Sequence, residues 1–287
     1  MRSKVFPLFD IEGYLAIILL VFTLAFNSCK NEGTTQPQVN QEAAQPQNNN
    51  VSYIFSETAS KSLKVCVYLD DGVFATCKVN TIYMLDRMHC AYTPVNKDSI
   101  INGSLNHYRL LIMPGGDMWL YNSYLSSNGK NAIKNFVNQG GGYIGICGGS
   151  YFAARQIVWR GWADEPRSYN SFSGLGLVNA VADGPIDDFA PYYVANACKI
   201  NLINKNLPIM NYLPDTNDLY YNHGPMFLFI ESPWITTIGR TATGNKSVMV
   251  EAKYGLGKVF LTAVHPEVNS TRTSLIMFKN AIEWCAQ

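Results

Sequence analysis

Short apolar runs and helically spaced apolar residues succeed one another along the chain. Lys64 to Leu69 is an apolar run closed by Asp70-Asp71-Gly72, which reads as a buried strand ending in a turn. Between Thr76 and Met88, Val79, Ile82, Tyr83 and Leu85 fall at helical spacing. Arg109 to Met113 is a second apolar run and stops at Pro114-Gly115-Gly116-Asp117. Ile133, Phe136 and Val137 share one face of a helix over 131–137, which leads through the Gly140 turn into a third buried strand, Tyr143 to Ile146. Strands alternating with helices predict a mostly parallel sheet covered on both faces. Ligands of such sheets bind at the carboxyl ends of the strands.

Beyond residue 155 the pattern is less regular. Trp159, Trp162, Tyr169 and Phe172 lie among Gly, Ser and Asp, and two readings stay open: a pocket rim, or a plug for an insertion. Strands are expected over 175–182, 197–203, 234–240, 247–253 and 258–263. The last apolar run stops at His265-Pro266-Glu267. Ser270 or Thr271 then caps a final helix with Leu275, Ile276, Phe278, Ile282 and Trp284 inward. No internal repeat is evident.

The chemistry gathers around Gly140 to Ala154. A strand that turns sharply into a helix holds the turn residue in a strained conformation with its side chain presented. Here that residue is Cys147, with Gly145, Gly148 and Gly149 around it. A helix N-terminus favours the thiolate; the plainer reading is a buried structural cysteine. A thiol nucleophile needs a base, and the base needs a third group to orient it. His265, at the end of another buried strand, and Glu267 suit those roles. The backbone N–H groups of Gly116 and Gly148 are candidates for an oxyanion hole.

Composition narrows the partners. Charged residues make up 15% and the net charge is +1, below the roughly 25% charged of ordinary soluble chains. With no basic stripe, nucleic acid is not expected as a partner. Arg2 and Lys4 precede an apolar run from Gly13 to Phe26, the pattern of a signal peptide. The segment Leu24 to Cys29 resembles a bacterial lipobox, although Phe26 and Asn27 depart from it and Asp10 and Glu12 are unusual so early. Residues 1–29 thus read as a lipoprotein signal with Cys29 lipidated, the alternative being an uncleaved anchor. Either places the domain outside the cytoplasm, in a bacterial cell envelope. The polar stretch over 30–60 reads as a disordered linker, and 61–287 as the folded domain. The seven cysteines show no Cys-x-x-Cys spacing and no metal site is expected. Disulfide pairing is not assigned, and Cys66 reads as a core residue.

With Gly145-x-Cys147-x-Gly149 followed by His265-Pro266-Glu267, the chain resembles the class I glutamine amidotransferase superfamily. More closely, it resembles the amino-terminal amidotransferase-like domain of biotin–protein ligases and its free-standing bacterial relatives. The matching pieces are Met113 to Asp117, Gly141 to Tyr151, Tyr220 to Asn222, and Gly257 to Thr262 leading into His265 and Glu267. The resemblance implies a flavodoxin-like three-layer α/β/α sandwich. It implies Cys147 as nucleophile, His265 as base, Glu267 as orienting acid, and Gly116 and Gly148 as oxyanion donors. Gly115, Asp117, Tyr221, Asn222 and His223 then fall at the substrate pocket. Where those relatives have Tyr-Asn-Gly-Gly, this chain has Tyr221-Asn222-His223-Gly224, which adds bulk and a titratable group. No ligase domain follows before Gln287, so biotin transfer is not expected.

Two functions follow as expectations. One is a cysteine-dependent amide hydrolase using Cys147, His265 and Glu267, with no cofactor. The other is a catalytically idle module that binds a small molecule or peptide in the same cleft.

Overall fold

The computed structural model describes residues 51–161, 170–186, 195–228 and 232–287. Cys29 with its lipobox, the linker up to residue 50, and Trp162 and Tyr169 lie outside the described residues. None of the described helices is long and apolar enough to cross a membrane. The folded region starts earlier than residue 61. Phe55 is buried in the core, and its N–H donates to the Met88 carbonyl at 2.8 Å. Ser56 then caps a short helix, α1 (Glu57–Ser62). With Val51, Tyr53 and Ala59 also packed against the core, this anchor draws 51–60 into the domain instead of leaving it as linker.

From there the order is β1 (Val65–Tyr68), α2 (Ala75–Arg87), β2 (Tyr92–Val95), α3 (Lys97–Ile101), β3 (Leu110–Met113), α4 (Met118–Asn138), β4 (Gly142–Ile146) and α5 (Gly148–Ala153). Strands follow: β5 (Ala154–Trp159), β6 (Asn170–Ser173), β7 (Val178–Gly184), β8 (Asn196–Leu202) and β9 (Thr216–Tyr221). The rest are β10 (Met226–Leu228), β11 (Ile235–Thr241), β12 (Ser247–Tyr254), β13 (Gly257–Thr262), β14 (Val264–His265) and the closing helix α6 (Arg272–Cys285). Helix α4 begins well before residue 131 because Asp117 caps it, accepting from the N–H groups of Trp119 at 2.8 Å and Leu120 at 3.1 Å. Ser126, at φ 53° and ψ −170°, interrupts it.

Among the described residues, ten strands form one sheet, ordered β14-β9-β8-β11-β12-β13-β4-β3-β1-β2. Its β2-β1-β3-β4-β13 half is parallel, which is the flavodoxin-like order with a switch point between β1 and β3. The other half is antiparallel. From β11 to β13 only short turns join the strands, and without a helical crossover a strand returns antiparallel. A second sheet is ordered β10-β7-β5-β6.

Successive side chains of a strand point to opposite faces, and the core divides accordingly. Val65 and Val67 join Met84 and Leu85 of α2 and Leu275 and Phe278 of α6. Cys66 and Tyr68 join Tyr121, Leu125 and Ile133 of α4, with Ala154 and Ile157 of the second sheet beyond. Helices therefore cover both faces, the three-layer α/β/α arrangement, with the small sheet added on the α4 side.

Candidate active site

At the carboxyl ends of β1, β3, β4 and β13 lies a cavity of about 190 Å³. Cys147 links β4 to α5 and has φ 48° and ψ −104°, a conformation rare for any residue with a side chain. The packing around the bend enforces it. A Cβ on Gly148 would come within 2.0 Å of the Gly116 carbonyl oxygen, and one on Gly149 within 2.2 Å of that of Met113. Ser150 ties the bend to the sheet, since its hydroxyl lies 2.7 Å from the Gly145 oxygen and accepts the Thr262 N–H at 3.0 Å. The Cys147 N–H donates to the Thr262 carbonyl at 2.8 Å, and its thiol lies 3.4 Å from the Asn222 carbonyl.

His265 follows β13, the strand beside β4, and pairs with Tyr220 of β9. Its Nδ1 lies 2.7 Å from Glu267 Oε1, with side-chain exposures of 4% and 0%. Its Nε2 is buried and makes no hydrogen bond of ordinary geometry, as is also true of Glu267 Oε2. Burial works against a charged imidazole here. The Glu267 carboxylate and the neighbouring Cys147 and Cys77 thiols outweigh it, and the His265 pKa is raised well above the ordinary histidine value. The structure thus brings Cys147, His265 and Glu267 into one buried cluster, with Gly116 and Gly148 on the cavity wall beside them.

The expected pocket residues divide. Asp117, Asn222 and His223 line the cavity, although Asp117 also serves as the cap of α4. His223 sits at φ 63°, in the left-handed region that glycine occupies without strain. Burial, and then the charge of His265, lower its pKa. Gly115 and Tyr221 stand behind the lining. The Gly115 carbonyl accepts the Phe74 N–H at 3.3 Å. The Tyr221 hydroxyl accepts the Ile186 N–H at 2.6 Å and donates to the Gly224 carbonyl at 2.8 Å. That phenol is a buried clamp behind the pocket.

Sequence reasoning missed Cys77, Phe74, Met118, Trp119 and Tyr151, all of which line the cavity. A signal for Cys77 existed: it lies in the first turn of the helix after β1, where ligand sites gather in such sheets. Trp159 also lines the cavity, so the pocket-rim reading of that residue holds. It meets Trp119 edge-on at 5.5 Å between ring centroids, and Trp119 stacks on Phe172 at 5.6 Å. Among the described lining residues there is no Lys or Arg. Cys77, His265 and Glu267 offer donor atoms within 4.8 Å of one another. As a metal site they compete with the bond that already joins His265 to Glu267.

The family model described as "Biotin-protein ligase, N terminal" matches residues 63–283. A biotin–protein ligase of Schizosaccharomyces pombe is 26% identical over 172 residues, 58% of this chain and 27% of the ligase. An uncharacterised protein of Chlamydia muridarum is 29% identical over 142 residues, 47% of this chain and 53% of that protein. The chain thus spans between about a quarter and a half of these relatives. Among solved structures, a candidate GMP synthase component from Thermoplasma acidophilum superimposes with a TM-score of 0.52 at 18% identity, covering 78% of this chain and 94% of that one. A ThuA-like protein from Bacteroides uniformis gives 0.54 at 10% identity, covering 78% and 91%. Likeness at this level of identity establishes the fold alone.

Thiol labelling tests the electrostatics. Burial pushes the Cys90 thiol up to about 12 and that of Cys198 up to about 11, and raises those of Cys66 and Cys285 further. A cationic imidazole favours a nearby thiolate, and the His265 pKa is raised well above the ordinary histidine value. Iodoacetamide at about pH 6 is therefore expected to modify Cys147 ahead of these four, as read by peptide mass spectrometry. His265→Ala should cut the Cys147 rate on the order of tenfold or more. Equal labelling of Cys147 and Cys198, or no effect of His265→Ala, contradicts this electrostatic account.

Proposed function

The chain belongs to the biotin–protein ligase N-terminal family, and from that premise we propose that it is a cysteine-dependent hydrolase of an amide bond, tethered to the bacterial envelope through Cys29. The observation that carries the reading is the buried 2.7 Å contact between His265 Nδ1 and Glu267 Oε1, set beside a cysteine at φ 48°. Glu267 holds the proton on Nδ1, which leaves Nε2 to serve the sulfur. The Cys147 thiolate attacks the amide carbonyl. The N–H groups of Gly116 and Gly148 receive the developing oxyanion, and His265 protonates the departing amine. Water, deprotonated by the now neutral imidazole, then hydrolyses the acyl-thioester and regenerates the thiol.

The cavity also speaks to the substrate. Free glutamine carries an α-carboxylate, and burying that charge without a cationic partner is costly. Among the described lining residues there is no Lys or Arg, and the His265 charge is already compensated by Glu267 and the thiols, whereas Phe74, Trp119 and Trp159 offer apolar surface. An uncharged amide with an apolar or aromatic acyl group fits better than glutamine. The alternative reading, a binding module of the same fold, draws on His223, whose imidazole lines the cavity.

Ammonia or amine release from a panel of apolar and aromatic carboxamides separates the two readings. Hydrolysis should be abolished in Cys147→Ala and should fall by about 10³–10⁴-fold in Glu267→Gln, which keeps the shape but not the charge. Saturable binding of such amides with identical background turnover in wild type and Cys147→Ala assigns the cleft to binding alone. Placement is tested separately by fatty-acid labelling in a bacterial host. Label should enter the wild-type chain and be absent from Cys29→Ser; an unlabelled wild type removes the lipid tether.

A further inference from the structure

The cavity contains a second sulfur for which amide hydrolysis has no use. Cys77, like Cys147, is 8% exposed and lines the cavity. Its Sγ, a ring nitrogen of His265 and a carboxylate oxygen of Glu267 lie within 4.8 Å of one another. Both thiols are neighbours of the same imidazole. The seat for Cys77 depends on Gly115, because a Cβ there would lie 2.6 Å from the Cys77 sulfur and 3.1 Å from His265 Cε1. The other described cysteines do not line the cavity: Cys66 lies in β1, Cys90 before β2, Cys198 in β8 and Cys285 at the end of α6.

We propose that Cys147 and Cys77 form a reversible redox pair, in which Cys77 resolves Cys147 after its oxidation by a hydroperoxide. The Cys147 thiolate attacks one peroxide oxygen, so an S–O bond forms and the O–O bond breaks. The departing hydroxide takes a proton from the His265 imidazolium and leaves as water. The neutral imidazole next accepts the Cys77 proton, and the Cys77 sulfur attacks the sulfenic sulfur of Cys147. An S–S bond forms, the S–O bond breaks, and the second hydroxide leaves as water with the proton that His265 returns. Two thiols and one hydrogen peroxide thus become one disulfide and two waters, the oxidation of sulfur matching the reduction of the O–O bond. A small thiol reverses the result by exchange. Without a resolving thiol, a second hydroperoxide carries the sulfenic acid to the sulfinic acid, itself leaving as water or alcohol, and simple thiols do not reduce that product. The pairing holds whether or not the site hydrolyses an amide.

The full chain is exposed to a several-fold molar excess of hydrogen peroxide, enough to carry an unresolved sulfenic acid on to the sulfinic acid. Remaining thiols are blocked with N-ethylmaleimide and the digest is read by mass spectrometry. A peptide joining Cys77 to Cys147 is expected, cleaved by dithiothreitol with recovery of iodoacetamide labelling at Cys147. In Cys77→Ser, with Cys77→Ala as a second variant and circular dichroism to check folding, the linked peptide is lost. Cys147 is then carried to the sulfinic acid and its labelling is not recovered. The wild-type digest decides the matter even if both variants misfold. Cys147 left reduced, carried to sulfinic acid in the wild type, or joined to a cysteine other than Cys77 overturns the proposal.

Discussion

A carboxylate and an imidazole sealed from water, 2.7 Å apart at the end of the parallel half of the sheet, set the terms for the rest of the site. Removing one member of such a pair costs about 3–5 kcal/mol, because the other is left buried and uncompensated. Glu267 therefore keeps His265 protonated against the effect of burial. The imidazolium in turn favours a negative neighbour, and the sulfurs of Cys147 and Cys77 lie beside it. The reactivity of the cavity follows from this one contact and the order in which charge is compensated around it.

Backbone packing delivers the partners. The parallel strands β1, β3, β4 and β13 each end at the cavity and each contribute from the residues that follow: Cys77, Gly116, Cys147 and His265. Close approach of Gly148 to Gly116, and of Gly149 to Met113, fixes the turn that presents Cys147. The second sheet closes the far wall through Trp159, whose ring meets those of Trp119 and Tyr151. Fold and site are thus coupled by contacts too short to admit even a methyl group.

Strands β1, β3, β4 and β13 were legible because they are apolar on both faces and bounded by turns. The glycine-framed cysteine and the His-Pro-Glu segment stood out for the same reason, as local patterns. Other parts lacked such marks. Strand β9 reads Thr-Asn-Asp-Leu-Tyr-Tyr and β2 contains Pro94, compositions suited to the margins of a sheet. Strand β5 starts at the residue after α5 ends, with no turn residues to separate them. Cys77 belonged to no spacing motif, because its partners lie on distant strands and only the topology brings them together. The short apolar stretch Val51 to Phe55, with Phe55 buried and Val51 and Tyr53 packed against the core, was enough to extend the domain boundary.

The most direct test of the account is the titration of His265 followed by NMR of its Cε1 proton in the folded protein. A pKa well above the ordinary histidine value of about 6.5 is expected, as the cluster of Glu267 and the thiols requires. Both Glu267→Gln and Cys147→Ala should lower it, the first by removing the carboxylate and the second by removing the sulfur. A His265 that titrates at the ordinary value, indifferent to both substitutions, contradicts the claim that this buried contact organises the site.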